Sequence, residues 1–213
     1  MVGNHPEPEL REELFNVITH ALGILFGIIC IPMLIITAID HVDTSILAGI
    51  SIYGFSFLML FTFSTLFHWT REGKKRDILR VLDHISIYFL IAGTYTPFIL
   101  IFVNNAYGFT LLSVLWSLTL LGTIYKTFFT GKFEIISTVI YLIMGWMLLT
   151  GADVFFAKMS YSMIVLIICG GCLYTIGVLF YLWRWFTYHH GIWHLFVLSG
   201  AICHYAAIFL AFS

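Results

Sequence analysis

Two imidazoles four residues apart, His190 and His194, open the last apolar stretch of this chain. On a helix, residues at that spacing share a face, with Cβ atoms about 5–6 Å apart. One metal ion with Zn–N bonds of about 2.0–2.1 Å can then bridge both rings. Zinc proteases place a catalytic glutamate directly after the first of two such histidines. Here Gly191 stands in that place, so protease chemistry is excluded.

Other polar groups gather at the ends of other apolar stretches. Ser64 and His68 are four residues apart, Asp83 and His84 are adjacent, and Glu12, Asn16 and His20 are spaced by four. Ionisable groups inside membrane segments are expensive and mark function by default. His68, His190, His194 and Asp83 together make an economical zinc set. The histidines would supply nitrogens, and Asp83 would be a fourth ligand or would hold the bound water. Three protein ligands plus water describe a catalytic site, whereas four closed ligands describe a structural one. Ser64 would hydrogen-bond the ligand set or stabilise an oxyanion. Glu12, Asn16 and His20 would stand behind the ligands. His204 lies ten residues beyond His194, about 15 Å along a helix, so it is expected as a buried hydrogen-bonding histidine. His84 points elsewhere, His189 falls in a loop, and His5 and His41 face solvent.

The elements that must position these groups are membrane spans. Of the 213 residues, 61% are hydrophobic and 10% charged, against about 25% charged in soluble domains. A span needs about 20 apolar residues, and the chain holds seven. They run over Asn16–Ile39, Ser45–Trp69, Val81–Val103, Phe109–Phe129, Phe133–Thr150, Ser162–Trp183 and His190–Phe212. The expected fold is an all-α integral membrane protein, a seven-transmembrane helix bundle. Residues 1–15 form a polar arm, and 16–213 a single membrane domain. Pro97 is expected to kink or weaken the third span. Gly23-x-x-x-Gly27 permits close helix approach. Thr70–Arg80 is the charged loop, and a further loop surrounds Asp153–Tyr161. No cleavable leader is expected.

Basic residues favour the cytoplasm. On alternate loops they are Arg11, then Arg71, Lys74, Lys75, Arg76 and Arg80, then Lys126 and Lys132, then Arg184; the opposite side has Lys158 alone. The N-terminus is therefore expected in the cytoplasm and the C-terminus outside, the reverse of G-protein-coupled receptors. All four polar helix ends then fall in one leaflet. The last span has no lysine for a retinal Schiff base. The net charge of −1 gives no case for nucleic acid. Cys30, Cys169, Cys172 and Cys203 lie in apolar runs, and Cys169-Gly-Gly-Cys172 reads as small residues at a helix contact rather than a redox pair.

The stretches Glu12-Glu13-Leu-Phe-Asn16-Val-Ile-Thr19-His20, Ser64-x-x-x-His68, Leu82-Asp83-His84 with Ala92-Gly-Thr-Tyr-Thr-Pro97, and His190-x-x-x-His194 with Phe196-Val-Leu resemble the bacterial hemolysin III homologues of the progestin and adipoQ receptor (PAQR) family. The resemblance runs from the first span to the last. It implies seven helices, a cytoplasmic N-terminus and a zinc ion held by His68, His190 and His194, with Asp83 at the metal or its water and Ser64 behind. Glu12 is preferred over Glu13 as the match to the family's N-terminal glutamate. The wider superfamily includes alkaline ceramidases.

The resulting expectation is a plasma-membrane, zinc-dependent hydrolase acting on a lipid amide or ester in membrane homeostasis. Two alternatives are a non-enzymatic membrane-state sensor with structural zinc, read by a cytoplasmic partner at residues 70–80, and a pore. The pore would need a ring of charge through the membrane centre, which the sequence lacks.

Overall fold

The computed structural model describes residues 7–40, 42–183 and 186–212. His5, His41 and Arg184 lie outside them. The order is α1 (Glu7–Ile39), α2 (Thr44–Trp69), α3 (Lys74–Phe102), α4 (Ala106–Phe129), α5 (Glu134–Gly145), a 3-10 turn (Met147–Gly151), α6 (Ala152–Phe156), α7 (Tyr161–Leu182) and α8 (His189–Phe209). Among the described residues, seven helical stretches are long and apolar enough to cross a membrane, as the hydropathy requires.

Local chemistry starts several helices. The Asp43 side chain accepts from the Ser45 and Ile46 N–H groups, satisfying donors that the first turn of α2 would leave bare. The Ser45 hydroxyl and the Ile46 N–H hold the Asp43 carboxyl below the usual carboxylate range. Asn105 caps α4 through the Gly108 N–H at 3.0 Å.

Four boundaries differ from expectation. α1 begins at Glu7, so Glu7–Phe15 of the polar arm continues the first span as helix. α3 begins at Lys74, so the charged loop shrinks to Thr70–Gly73 and its other charges ride on helix. His189 belongs to α8 rather than to a loop. The fifth span breaks at Trp146 and resumes as the 3-10 turn and α6, so Ala152–Phe156 is helix where a loop was expected. The Tyr95 hydroxyl spans the break, donating to Gly145 O at 2.7 Å and accepting from Leu148 N at 3.1 Å. A broken helix at membrane depth is tolerated where protein groups satisfy the freed backbone. Pro97, by contrast, does not interrupt α3, which runs on to Phe102.

Helices α1, α2, α3, α5, α7 and α8 follow one another around a cavity through their mutual contacts, and α4 packs outside against α3. Lipid is as apolar as leucine, so association here depends on close packing rather than on the hydrophobic effect. Phe57, Phe61 and Leu58 of α2 fill the space over Gly23 and Gly27 of α1, as the small-residue spacing foretold. Gly170 receives the His204 ring and the Gly200 backbone, and the four cysteines are free thiols. The Cys-Gly-Gly-Cys stretch is thus a helix contact.

Candidate metal centre and its cavity

Successive helices run antiparallel, so the C-terminal end of α2 and the N-terminal ends of α1, α3 and α8 meet at one end of the bundle. There His68, His190 and His194 each offer a ring nitrogen, and the three lie within 4.8 Å of one another. Ring centroids are 5.1 Å apart for His68–His190, 4.9 Å for His68–His194 and 4.6 Å for His190–His194. His68 and His194 are buried and His190 half-buried.

Helix α1 sets the tautomers. The Glu13 carboxylate accepts from His68 Nδ1 at 2.5 Å and from the Arg76 guanidinium at 2.8 Å. A carboxylate can only accept, so Nδ1 carries the proton and Nε2 presents its lone pair. That Nε2 is buried with no hydrogen-bond partner among the described residues. His194 Nδ1 lies 3.4 Å from Asn16 O, an acceptor, which favours the same tautomer. Thr19 donates to that carbonyl at 2.9 Å and sits 3.4 Å from the same Nδ1. The Asn16 amide donates weakly to Glu13 Oε2 at 3.5 Å. His20 stacks on His194 with centroids 3.7 Å apart and planes 22° apart, backing the ring. A second partner on the non-ligating nitrogen is the usual way metal-binding histidines are oriented.

The donor set fits a metal: one buried orphan nitrogen faces two further imidazoles. Imidazole suits zinc, copper, iron and nickel, so the three-histidine group could hold a metal ion, and its geometry does not name which.

Glu13, rather than Glu12, is the glutamate that hydrogen-bonds His68. Glu12 instead accepts from Tyr188 N at 3.0 Å. Tyr188 holds a left-handed φ of 69° just before α8, so Glu12 pins the entry to the helix carrying His190 and His194. The signal was legible in the spacing. At about 100° per residue, Glu13 falls within about 20° of His20, while Glu12 falls about 80° away. Thr19 and Arg76 were also missed as site residues. Arg76 belonged to the expected solvent loop, but it turns inward to Glu13.

Gly191 has a steric role. A Cβ there would collide with the Phe15 ring and lie 3.0 Å from Asn16 Oδ1. The absent side chain lets α1 press against α8 beside His190 and His194.

The centre opens into a cavity of about 850 Å³ that continues inward past Leu90, Phe98, Leu148 and Phe155. Ser64 and Asp83 both line it. The Ser64 hydroxyl is buried without a partner among the described residues. Asp83 is half-buried and stands outside the tight three-histidine set. His204 lines the deep part and is half-buried, with Nε2 3.2 Å from Ile167 O, the hydrogen-bonding role expected of it. His84 stands outside the three-histidine group but lines the same cavity, its Nδ1 donating to Arg80 O at 2.7 Å.

Comparison with known proteins agrees with this architecture. Residues 9–205 match the family described as haemolysin-III related. A "Hemolysin-3 homolog" of Bacillus subtilis (strain 168) is 42% identical over 192 residues, covering 90% of each chain. "Hemolysin-3" of Bacillus cereus is 40% identical over 192 residues, covering 90% of this chain and 88% of its own. The human "Monocyte to macrophage differentiation factor", a PAQR-family relative, is 29% identical over 208 residues, covering 95% of this chain and 85% of its own. No solved structure gives a significant match. Seven apolar helices and this kinship make the protein a multi-pass membrane protein, as expected for the plasma membrane. The chain belongs to the hemolysin-III family.

Proposed function

We propose that the protein is a zinc-dependent hydrolase that cleaves an amide or ester bond of a membrane lipid. One observation carries this reading: a three-histidine centre opens onto a large chamber inside the membrane bundle, walled by apolar side chains. Zinc would be held by His68, His190 and His194, and when bound it lowers the pKa of its water to about 7, making hydroxide available at neutral pH. Glu13 and the Asn16 carbonyl hold the ligand rings in orientation, so little rearrangement accompanies binding. Asp83 accepts the proton of the attacking water and returns it to the departing nitrogen or oxygen as the acyl bond breaks. The Ser64 hydroxyl, which has no partner among the described residues, donates to the oxygen that becomes negative. The apolar wall takes the acyl chain and excludes bulk water. In this reading the histidine end faces the cytoplasm, in keeping with the bias of nine of the ten basic residues to that side.

The test is product release from ceramide-like and phospholipid substrates by purified zinc-loaded protein. Wild type should release fatty acid and His194→Ala should not; equal rates would remove the hydrolase reading.

A second reading is a structural clamp in a membrane-state sensor. Helices α2 and α8 scarcely touch each other directly, so a metal shared by His68, His190 and His194 would be their main tie. Metal that stays bound with no exchangeable water position would favour this reading, and the short loop at 70–73 with the charged start of α3 would then be the surface a cytoplasmic partner reads.

A further inference from the structure

The same end of the cavity holds a second polar cluster that the metal centre does not use. Lys126, near the C-terminal end of α4, is 1% exposed and lines the cavity. A lysine near a helix end at a membrane surface ordinarily extends its ammonium outward to water. This one is turned inward, and among the described residues its ammonium makes no hydrogen bond or ion pair. Its placement follows from packing. One turn earlier, Gly122 has no side chain, and the Tyr88 ring of α3 occupies that space. α4 therefore lies tight on α3, and the face that carries Lys126 meets the cavity.

The neighbouring Glu134 carboxylate acts on it through space without a hydrogen bond. Glu134 is engaged by the Arg80 guanidinium at 3.4 Å and the Tyr181 hydroxyl at 3.1 Å, with His84 Nε2 at 3.9 Å. Arg80 and Lys126 thus share Glu134 at the cavity rim, while Asp77 and Asp83 also line the cavity. A buried ammonium without a partner is costly, and an incoming anion relieves that cost.

We propose that Lys126, supported by Arg80, is a subsite for the phosphate group of a lipid headgroup, placed in the cavity that also holds the three histidines. The position at a helix end matches headgroup depth, and the apolar chamber below matches the attached chains. The assignment rests on the hydrolase reading for its consequence, which is that the substrate is an amphiphile bearing phosphate rather than a neutral one. The binding itself stands apart from turnover.

The experiment measures binding. Full-length protein is reconstituted in phosphatidylcholine nanodiscs doped with phosphatidic acid or with diacylglycerol, and retained lipid is quantified by mass spectrometry after detergent extraction. Wild type should retain phosphatidic acid over diacylglycerol. Lys126→Met should lower that preference about tenfold, the loss expected for a charge-assisted hydrogen bond. Lys126→Arg should restore it, and Arg80→Gln should weaken it in the same direction, giving a second reading if the methionine variant does not fold. Metal content should stay at the wild-type level in these variants. Lys74→Gln with Lys75→Gln should change nothing, which separates the cavity from the basic surface. His194→Ala should bind the lipid normally even if hydrolysis is lost, so failure of the chemistry and failure of the subsite read out separately. Equal retention of the two lipids by wild type, or wild-type retention by Lys126→Met, would overturn the proposal. Inorganic phosphate alone should not displace phosphatidic acid; displacement by it would overturn the assignment to a lipid.

Discussion

Replacing Glu13 by alanine tests how the metal centre is built. The carboxylate ties His68 Nδ1 at 2.5 Å and Arg76 at 2.8 Å. Its loss frees the imidazole to rotate or change tautomer and leaves the guanidinium without its carboxylate. Hydrogen bonds to charged groups contribute about 1.5–3 kcal/mol. Glu13 is about a third exposed at 33%, so water compensates part of that loss. An outer partner of a metal-binding histidine typically accounts for 10–100-fold in affinity, about 1.4–2.8 kcal/mol, and this is the range expected for Glu13 in the proposed site. Glu13→Ala should weaken zinc binding by about 10–100-fold. Glu13→Gln, which keeps an acceptor but not the charge, should fall between the alanine variant and wild type. Glu12→Gln, at a carboxylate that accepts from the Tyr188 N–H rather than from a histidine, should change affinity by less than Glu13→Gln. The assay is zinc competition against a chelator of known affinity in detergent solution. Wild-type affinity in Glu13→Ala, or a larger loss in Glu12→Gln than in Glu13→Gln, would refute the assignment of Glu13 as the residue that orients His68.

Three further outcomes follow from the same geometry. Gly191→Ala should lower thermal stability by about 1–3 kcal/mol, the usual cost of overpacking, because the new methyl meets the Phe15 ring; an unchanged melting temperature would show that α1 does not press on α8 there. Tyr95→Phe should cost about 1–3 kcal/mol, because the hydroxyl that bridges Gly145 and Leu148 across the broken fifth span is lost; thermal unfolding of the two proteins in detergent checks this. Alanine at His68, His190 or His194 should release bound metal, whereas His204→Ala should retain it; elemental analysis after gel filtration separates the two groups.

Much of the site was legible before any coordinates. His68, His190 and His194 could be named from helical spacing and from their shared end of the bundle, and the structure brings these three together. Asp83 was placed in the right cavity, but spacing could not tell whether it belongs in the tight ligand set, because that depends on the separation of α3 from α8. Glu12 and Glu13 differ by one residue, and spacing by four on α1 does not show which of them reaches His68 on α2; the structure gives that contact to Glu13. Lys126 entered only as a charge at a loop edge, since nothing in the order of residues shows that the lysine turns inward.

The sequence by itself determined the seven apolar segments and which segment ends share a level. Hydrocarbon thickness sets span length, and short connections force neighbours antiparallel, so hydropathy and loop charge suffice. Tertiary structure alone decided how each helix is rotated about its axis and where one is broken. Inside a membrane, lipid and protein interior are about equally apolar, so hydrophobic pattern cannot fix rotation. Contacts fix it instead: Gly191 under Phe15 brings Glu13 to His68, Gly122 under Tyr88 turns Lys126 inward, and the Tyr95 hydroxyl holds the break at Trp146.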